Sequence, residues 1–247
     1  MLRTREDLPV ARRQRQPSTA RKLPVGPVVV SVSVALGGAL AALFLLQEQL
    51  VKRFRPPAEN SPLIAGIEAR PDRYGRLLGH FPYPEASDDT LQEVRPGVLL
   101  QRDAAEALEA LLAAARADGV RLTLISGFRS HDTQRSVFFD VKALRNQSAE
   151  ERAKVSAPPG YSEHSTGLAV DLGDRTRPQT NLSEEFEQTP AFYWLQNNAH
   201  RYHFTLSFPR GNQQGVSYEP WHWRFEGSAQ ALQQFESAHR FQSGRLN

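Results

Sequence analysis

The stretch Tyr161-Ser162-Glu163-His164-Ser165-Thr166-Gly167-Leu168-Ala169-Val170-Asp171-Leu172 constrains this chain more than any other. It sets an imidazole and a carboxylate seven positions apart. A polar turn ending at Gly167 comes first, and the run Leu168 to Leu172 then predicts a strand. Successive strand side chains point to opposite faces, so a histidine at the strand mouth and an aspartate within it can address one point. That suits a metal held partly by a sheet and partly by a turn. The third ligand is expected in Glu219-Pro220-Trp221-His222-Trp223. Two histidines and one aspartate leave a tetrahedral Zn²⁺ one open position, as catalytic zinc requires.

The chain has 247 residues and no cysteine, so disulfides and thiolate metal sites are excluded and any zinc takes N and O ligands. The formal charge of +3 is unevenly placed. Residues 1–24 carry seven Lys/Arg against Glu6 and Asp7, 7 − 2 = +5, which leaves 3 − 5 = −2 for the remainder. A nearly neutral body argues against nucleic acid as a partner.

Between Pro27 and Leu46 there is no charged residue, and this length predicts a transmembrane helix. A cleaved signal peptide is the rival reading, but its apolar region would be shorter and would end in a small-x-small site. The basic residues Arg12, Arg13, Arg15, Arg21 and Lys22 place the N-terminus in the cytoplasm. The domains expected are therefore a cytoplasmic tail (1–26), a membrane anchor (27–46), a linker and arm (47–77) and one domain (78–247). The last would lie on the periplasmic or extracellular side.

Within that domain, Asp103 is expected to cap a helix over Ala104 to Ala117, with Glu106 completing a capping box and Gly119 closing it. Further helices are expected from Asp132 to Arg145, from Thr189-Pro190 to about His200, and from Ser228 to Arg240. Strands are expected at Val98–Leu100, Val120–Ile125, Phe204–Phe208 and Val216–Phe225. Helices and strands mix without a βαβ rhythm, which predicts an α+β fold with a mainly antiparallel central sheet flanked by helices. His80, in an aromatic loop, is expected to pack rather than to bind metal.

Pro220 predicts a bend between Glu219 and His222, which would let His222 bind the ion while Glu219 acts as base beside it. Ser126-Gly127-Phe128-Arg129-Ser130 ends a strand ahead of a helix, where Arg129 could fork onto a carboxylate or carbonyl and Gln134 add an amide contact.

Together these segments resemble the zinc D-alanyl-D-alanine carboxypeptidases of the VanY type, whose fold group includes lysostaphin-type endopeptidases and the hedgehog domain. The resemblance rests on Ser-x-His-x-x-Gly-x-Ala-x-Asp, the downstream Glu-x-Trp-His, and Ser-Gly-Phe-Arg-Ser with Gln134, and it covers roughly Leu78 to Phe225. It implies His164, Asp171 and His222 as zinc ligands, Glu219 as catalytic base, Arg129, Gln134 and Ser162 on the substrate's terminal residue, and Trp221 as a pocket wall. The family more often has tyrosine where Phe128 stands. The activity implied is removal of the terminal D-alanine from peptidoglycan stem peptides, by a monomer. An L,D-carboxypeptidase acting on tetrapeptide stems is the nearest rival, with the loop Asp174 to Gln188 shaping that choice. A non-catalytic zinc-containing wall-binding or signalling module is the rival from another class, and it would have no need of Glu219.

Overall fold

The computed structural model describes residues 64–245. The cytoplasmic tail, the expected membrane segment 27–46 and most of the linker lie outside the described residues. Among those described, no helix is long and apolar enough to cross a membrane.

A hairpin of β1 (Leu91–Arg95) and β2 (Val98–Gln101) runs straight into α1 (Arg102–Ala117), followed by β3 (Leu122–Ser126), α2 (His131–Leu144) and the short α3 (Ala149–Ala153). After these come β4 (Ala169–Asp174), α4 (Pro190–Asn198), β5 (Phe204–Leu206), β6 (His222–Phe225) and α5 (Ala229–Gln242). The central sheet has the order β3-β4-β6-β5 and every pairing in it is antiparallel, as the sequence predicts.

The register of that sheet builds the site. Asp171 stands directly opposite His222 on one side and Ser126 on the other. Directly opposed residues present their side chains to the same face. Ala169 and Asp171 therefore share a face with Arg224 and His222, while Val170, Leu172 and Trp223 turn the other way into the main core. An irregularity between Leu124 and Ser126 re-aims Ser126 toward Asp171. The Ser126 hydroxyl donates to Asp171 Oδ2 at 2.5 Å.

Helix α1 covers the core face through Ala104, Ala105, Leu108, Leu111 and Ala115, the i, i+3, i+4, i+7 stripe of an amphipathic helix. Each fully buried leucine there contributes about 1.5–3 kcal/mol. A second, smaller cluster joins Ile67 and Leu77 to Phe138 of α2 and to Ala149 and Ala153 of α3. Ile67 and Leu77 are buried although they precede the boundary expected at residue 78.

Two expectations need correction. The first helix starts at Arg102 with Gln101 as its N-cap and no side-chain cap, so Asp103 and Glu106 form no capping box. Because β2 passes into α1 without a loop, Gln101 still belongs to the sheet ladder; its backbone N–H meets Gly167 O and its amide meets Thr166 O. The last strand covers only His222–Phe225. Ahead of it, Ser217 N–H bonds to Lys154 O and Glu219 N–H to Phe208 O, both in loops, and Trp221 O meets the sheet again at Leu172 N–H. The other helices appear within a residue or two of expectation, with Thr189 and Ser228 as side-chain caps. β1 and α3 were not expected, although Ser148 and Glu151 form a complete capping box for α3.

Candidate metal centre

His164 lies in a single 3₁₀ turn, Glu163–Thr166, that ends in the left-handed conformation at Gly167 (φ 68°). A side chain at Gly167 would also collide with Leu91. The turn points the ring inward, and His164 Nδ1 donates to the Gly127 carbonyl at 2.8 Å. That bond fixes the tautomer and leaves Nε2 as the ligand atom, 3.3 Å from Asp171 Oδ2. Gly127 reaches this position because any Cβ would sit 2.6 Å from the Leu99 carbonyl.

His222 is oriented in the opposite sense. Its Nε2 donates to Glu163 Oε2 at 2.9 Å, which turns Nδ1 toward Asp171 and makes it the candidate ligand atom. Nδ1 lies 3.3 Å from Asp171 Oδ1 and 4.0 Å from Glu219 Oε2. The two rings meet edge to face with centroids 4.8 Å apart. Ligand atoms of His164, Asp171 and His222 all fall within 4.8 Å of one another. Two ligands about 2 Å from a tetrahedral ion are separated by about 3.3 Å, so the donor set fits zinc in type and spacing.

Glu163 is not a functional candidate in the sequence, yet it is bonded to three side chains of the site. It accepts from His222, from Ser207 Oγ at 2.6 Å and from Arg224 Nη1 at 3.0 Å. Arg224, almost wholly buried, is also bonded to Glu226, which meets His239 Nε2 at 2.6 Å. One clue lay in the sequence: Arg224 stands two residues past His222, on the same face of its strand, and calls for an acidic partner.

The three buried carboxylates are driven apart. Burial alone would raise Asp171, but His164 and His222 outweigh it and hold the carboxyl well below its usual range. Burial would likewise raise Glu163, and Arg224, His222 and Ser207 together hold it far down. Glu219 has no such partners: burial pushes its pKa up to about 8, against the pull of His222 and with the negative charges of Asp171 and Glu163 adding to the rise. On His222, burial works against the proton, but hydrogen bonds and charge from Asp171 and Glu163 raise the pKa to about 10. Two carboxylates built to stay ionised and one built to hold a proton is the division expected of structural and proton-transferring groups.

The triad opens into a cleft of about 390 Å³ lined also by Glu219, Arg129, Ser162 and Trp221. Arg129 donates its backbone N–H to His164 O at 3.1 Å and Nη1 to Gln134 Oε1 at 2.8 Å. Gln134 is fully buried, and its amide nitrogen donates to Ala157 O at 2.6 Å. Its amide is thus committed to holding Arg129 and the 156–157 loop. His80 packs as expected: Nε2 meets Ala153 O at 2.7 Å, and burial lowers its pKa to about 4.

Residues 97–228 match the family described as VanY: D-alanyl-D-alanine carboxypeptidase. Among curated proteins, YodJ of Bacillus subtilis (strain 168) is 36% identical over 135 residues, 53% of this chain and 48% of that protein. A D-alanyl-D-alanine carboxypeptidase of Enterococcus faecalis is 32% identical over 182 residues, 69% of this chain and 65% of that one. The chain thus spans about half to two thirds of the length of these relatives. Among solved structures, the LD-carboxypeptidase LdcB is 32% identical with a TM-score of 0.51, covering 65% of this chain and 75% of that one. VanYB bound to D-alanine-D-alanine is 27% identical with a TM-score of 0.50, covering 66% and 88%. A VanY D,D-pentapeptidase mutant from a VanB-type resistance cassette, in complex with Zn(II), is 26% identical with a TM-score of 0.50, covering 68% and 94%. With the family's model matching more than half of the chain and a donor set suited to zinc, this chain belongs to the VanY family of D-alanyl-D-alanine carboxypeptidases.

Proposed function

We propose that the chain is a zinc-dependent D,D-carboxypeptidase that removes the terminal D-alanine from peptidoglycan stem peptides. His164 Nε2, Asp171 and His222 Nδ1 would hold the ion. When bound, zinc supplies Lewis acidity, polarising a carbonyl and easing the deprotonation of water. The observation that carries the reading is Glu219, a buried carboxylate 4.0 Å from a ligand atom of the triad and lining the same cleft.

Burial makes Glu219 a strong base for a carboxylate, and the charge of a nearby cation would oppose that rise and favour the ionised form. Glu219 takes a proton from the attacking water and hands it to the leaving amine as the peptide C–N bond breaks. Water thus supplies the hydroxyl of the new carboxyl group and one amine proton. Arg129, held by Gln134, forks onto the substrate's terminal carboxylate, with Ser162 and Trp221 bounding that residue.

By this proposal the uncharged segment 27–46 tethers the domain on the outer side of the cytoplasmic membrane, where the polymer lies. The L,D alternative is favoured by one observation, the likeness to LdcB. Leu182, from the loop expected to shape this choice, lines the cleft.

Mass spectrometry of the purified chain with tetrapeptide and pentapeptide stems tests the proposal. One D-alanine is expected to leave the pentapeptide alone, with activity lost to a chelator and restored by zinc. Cleavage of the tetrapeptide alone would establish the L,D reading. A zinc-loaded protein that cleaves neither would end both.

A further inference from the structure

Away from the triad the cleft changes sign. Arg129, Arg145 and Arg152 all line it, together with the apolar Val137 and Val155. Arg145 stands at the C-cap of α2, where a cation favours the helix dipole, and it is exposed. Arg152, on α3, is another matter. It is only 6% exposed, and its side chain makes one hydrogen bond, from Nη2 to the Val137 carbonyl at 3.1 Å.

Arg152 Nε is buried without any hydrogen-bond partner. Among the described residues no carboxylate forms an ion pair with this guanidinium. The acids that line the cleft, Glu163, Asp171 and Glu219, belong to the metal end. A guanidinium withdrawn from water without a counter-charge is costly, and two like charges beside it add to the cost. Burial first, and then Arg145 and Arg129, weaken its hold on its proton.

A purely structural tie between α2 and α3 accounts for the bond to Val137. It does not account for a buried cation left unneutralised at the wall of a cleft beside two more. We propose that Arg152 and Arg145 form a second anion subsite, for a free carboxylate carried by the residue that precedes the two terminal D-alanines. The inference rests on the carboxypeptidase reading, in which Arg129 is already committed to the terminal carboxylate. It names the substrate class: stems whose diamino acid keeps its own carboxylate, as diaminopimelate does and lysine does not. The forked guanidinium suits such a group better than an ammonium would.

The test compares pentapeptides containing free diaminopimelate, amidated diaminopimelate or lysine, each with the glutamate α-carboxylate free or amidated. With the zinc-loaded full chain, kcat/KM is expected to be about tenfold higher for the free diaminopimelate peptide, the scale of one charge-assisted hydrogen bond. In Arg145→Gln and Arg152→Gln that preference is expected to shrink to about twofold or less. Calorimetric binding of the same peptides to Glu219→Gln, which separates recognition from turnover, is expected to show the same ranking. Thermal melts of Arg152→Gln check its fold, and if it does not fold, Arg145→Gln at the exposed position decides. Equal turnover and equal binding of all peptides would overturn the subsite while leaving the carboxypeptidase intact. Dependence on the glutamate carboxylate instead would overturn the assignment to the diamino acid. No turnover and no binding of any peptide would overturn the subsite and the carboxypeptidase reading together.

Discussion

The two walls of the cleft are built by different means. The metal wall stands on the central sheet, whose register alone brings Ser126, Asp171 and His222 into line, and the polar atoms of its ligands are bonded outward to Gly127, Glu163 and Ser126. The arginine wall stands on α2 and on the five-residue α3, packed over the smaller apolar cluster, with Arg152 Nε unsatisfied. The difference teaches a division of labour. Two of the metal-ligand candidates, Asp171 and His222, sit where strand pairing fixes positions, and the proposed anion-binding Arg152 sits on a short helix over a small core.

The sharpest way to break this comparison is at Glu219. Glu219→Gln is expected to lower kcat about 10³-fold, the scale of a general base, while zinc content measured by atomic absorption stays at wild-type level. Loss of zinc together with activity would show that Glu219 belongs to the metal wall's framework rather than to its chemistry.

Next comes Glu163→Gln, expected to weaken zinc binding about 10–100-fold in competition titrations, because His222 loses the carboxylate that orients it. Unchanged affinity would mean that the register alone positions the ring.

The arginine wall should yield to acid through His80, which bonds to the α3 carbonyl at Ala153. Burial holds its folded pKa near 4, whereas the unfolded chain takes up a proton near 6.5. Stability is therefore full above pH 6.5 and falls as the pH drops toward 4. In zinc-free protein the loss between pH 7.5 and pH 5 due to this residue is expected to be about 2 kcal/mol. Urea unfolding of His80→Gln should show a shallower pH slope by that amount. An unaltered slope would place the acid sensitivity elsewhere.

The smallest effect is expected from Ser148→Ala, which removes the α3 cap and should cost about 1 kcal/mol in thermal unfolding. If the two walls are as distinct as their construction indicates, its kinetic trace lies in KM and not in kcat.

Much of this was legible in the chain. That His164, Asp171 and His222 come together, with Glu219 beside them, could be read because their residue types are specific and the spacings within each segment short. The bend at Pro220 could be read because proline interrupts a ladder, and His222 N–H does turn back to Glu219 O. Glu163 was harder to read: Arg224, two residues past His222, is the one local hint, and its partners Ser207, His222 and Arg224 lie 44, 59 and 61 residues away. The capping box expected at Asp103 failed for a related reason: a strand feeding directly into a helix leaves its cap to the sheet. The box at Ser148 is present in the residues, but a helix of five residues has no apolar periodicity to announce it.

One turn of backbone carries a consequence for how the ion is taken up. Glu163 steers one histidine and its neighbour His164 is the other, so both imidazoles answer to two consecutive residues. Tilting that turn would misalign them simultaneously, and a half-assembled coordination sphere has little room to exist. Loading should behave as an all-or-none event, and an inserted residue at this point should be far less tolerated than one in the loop between β4 and α4.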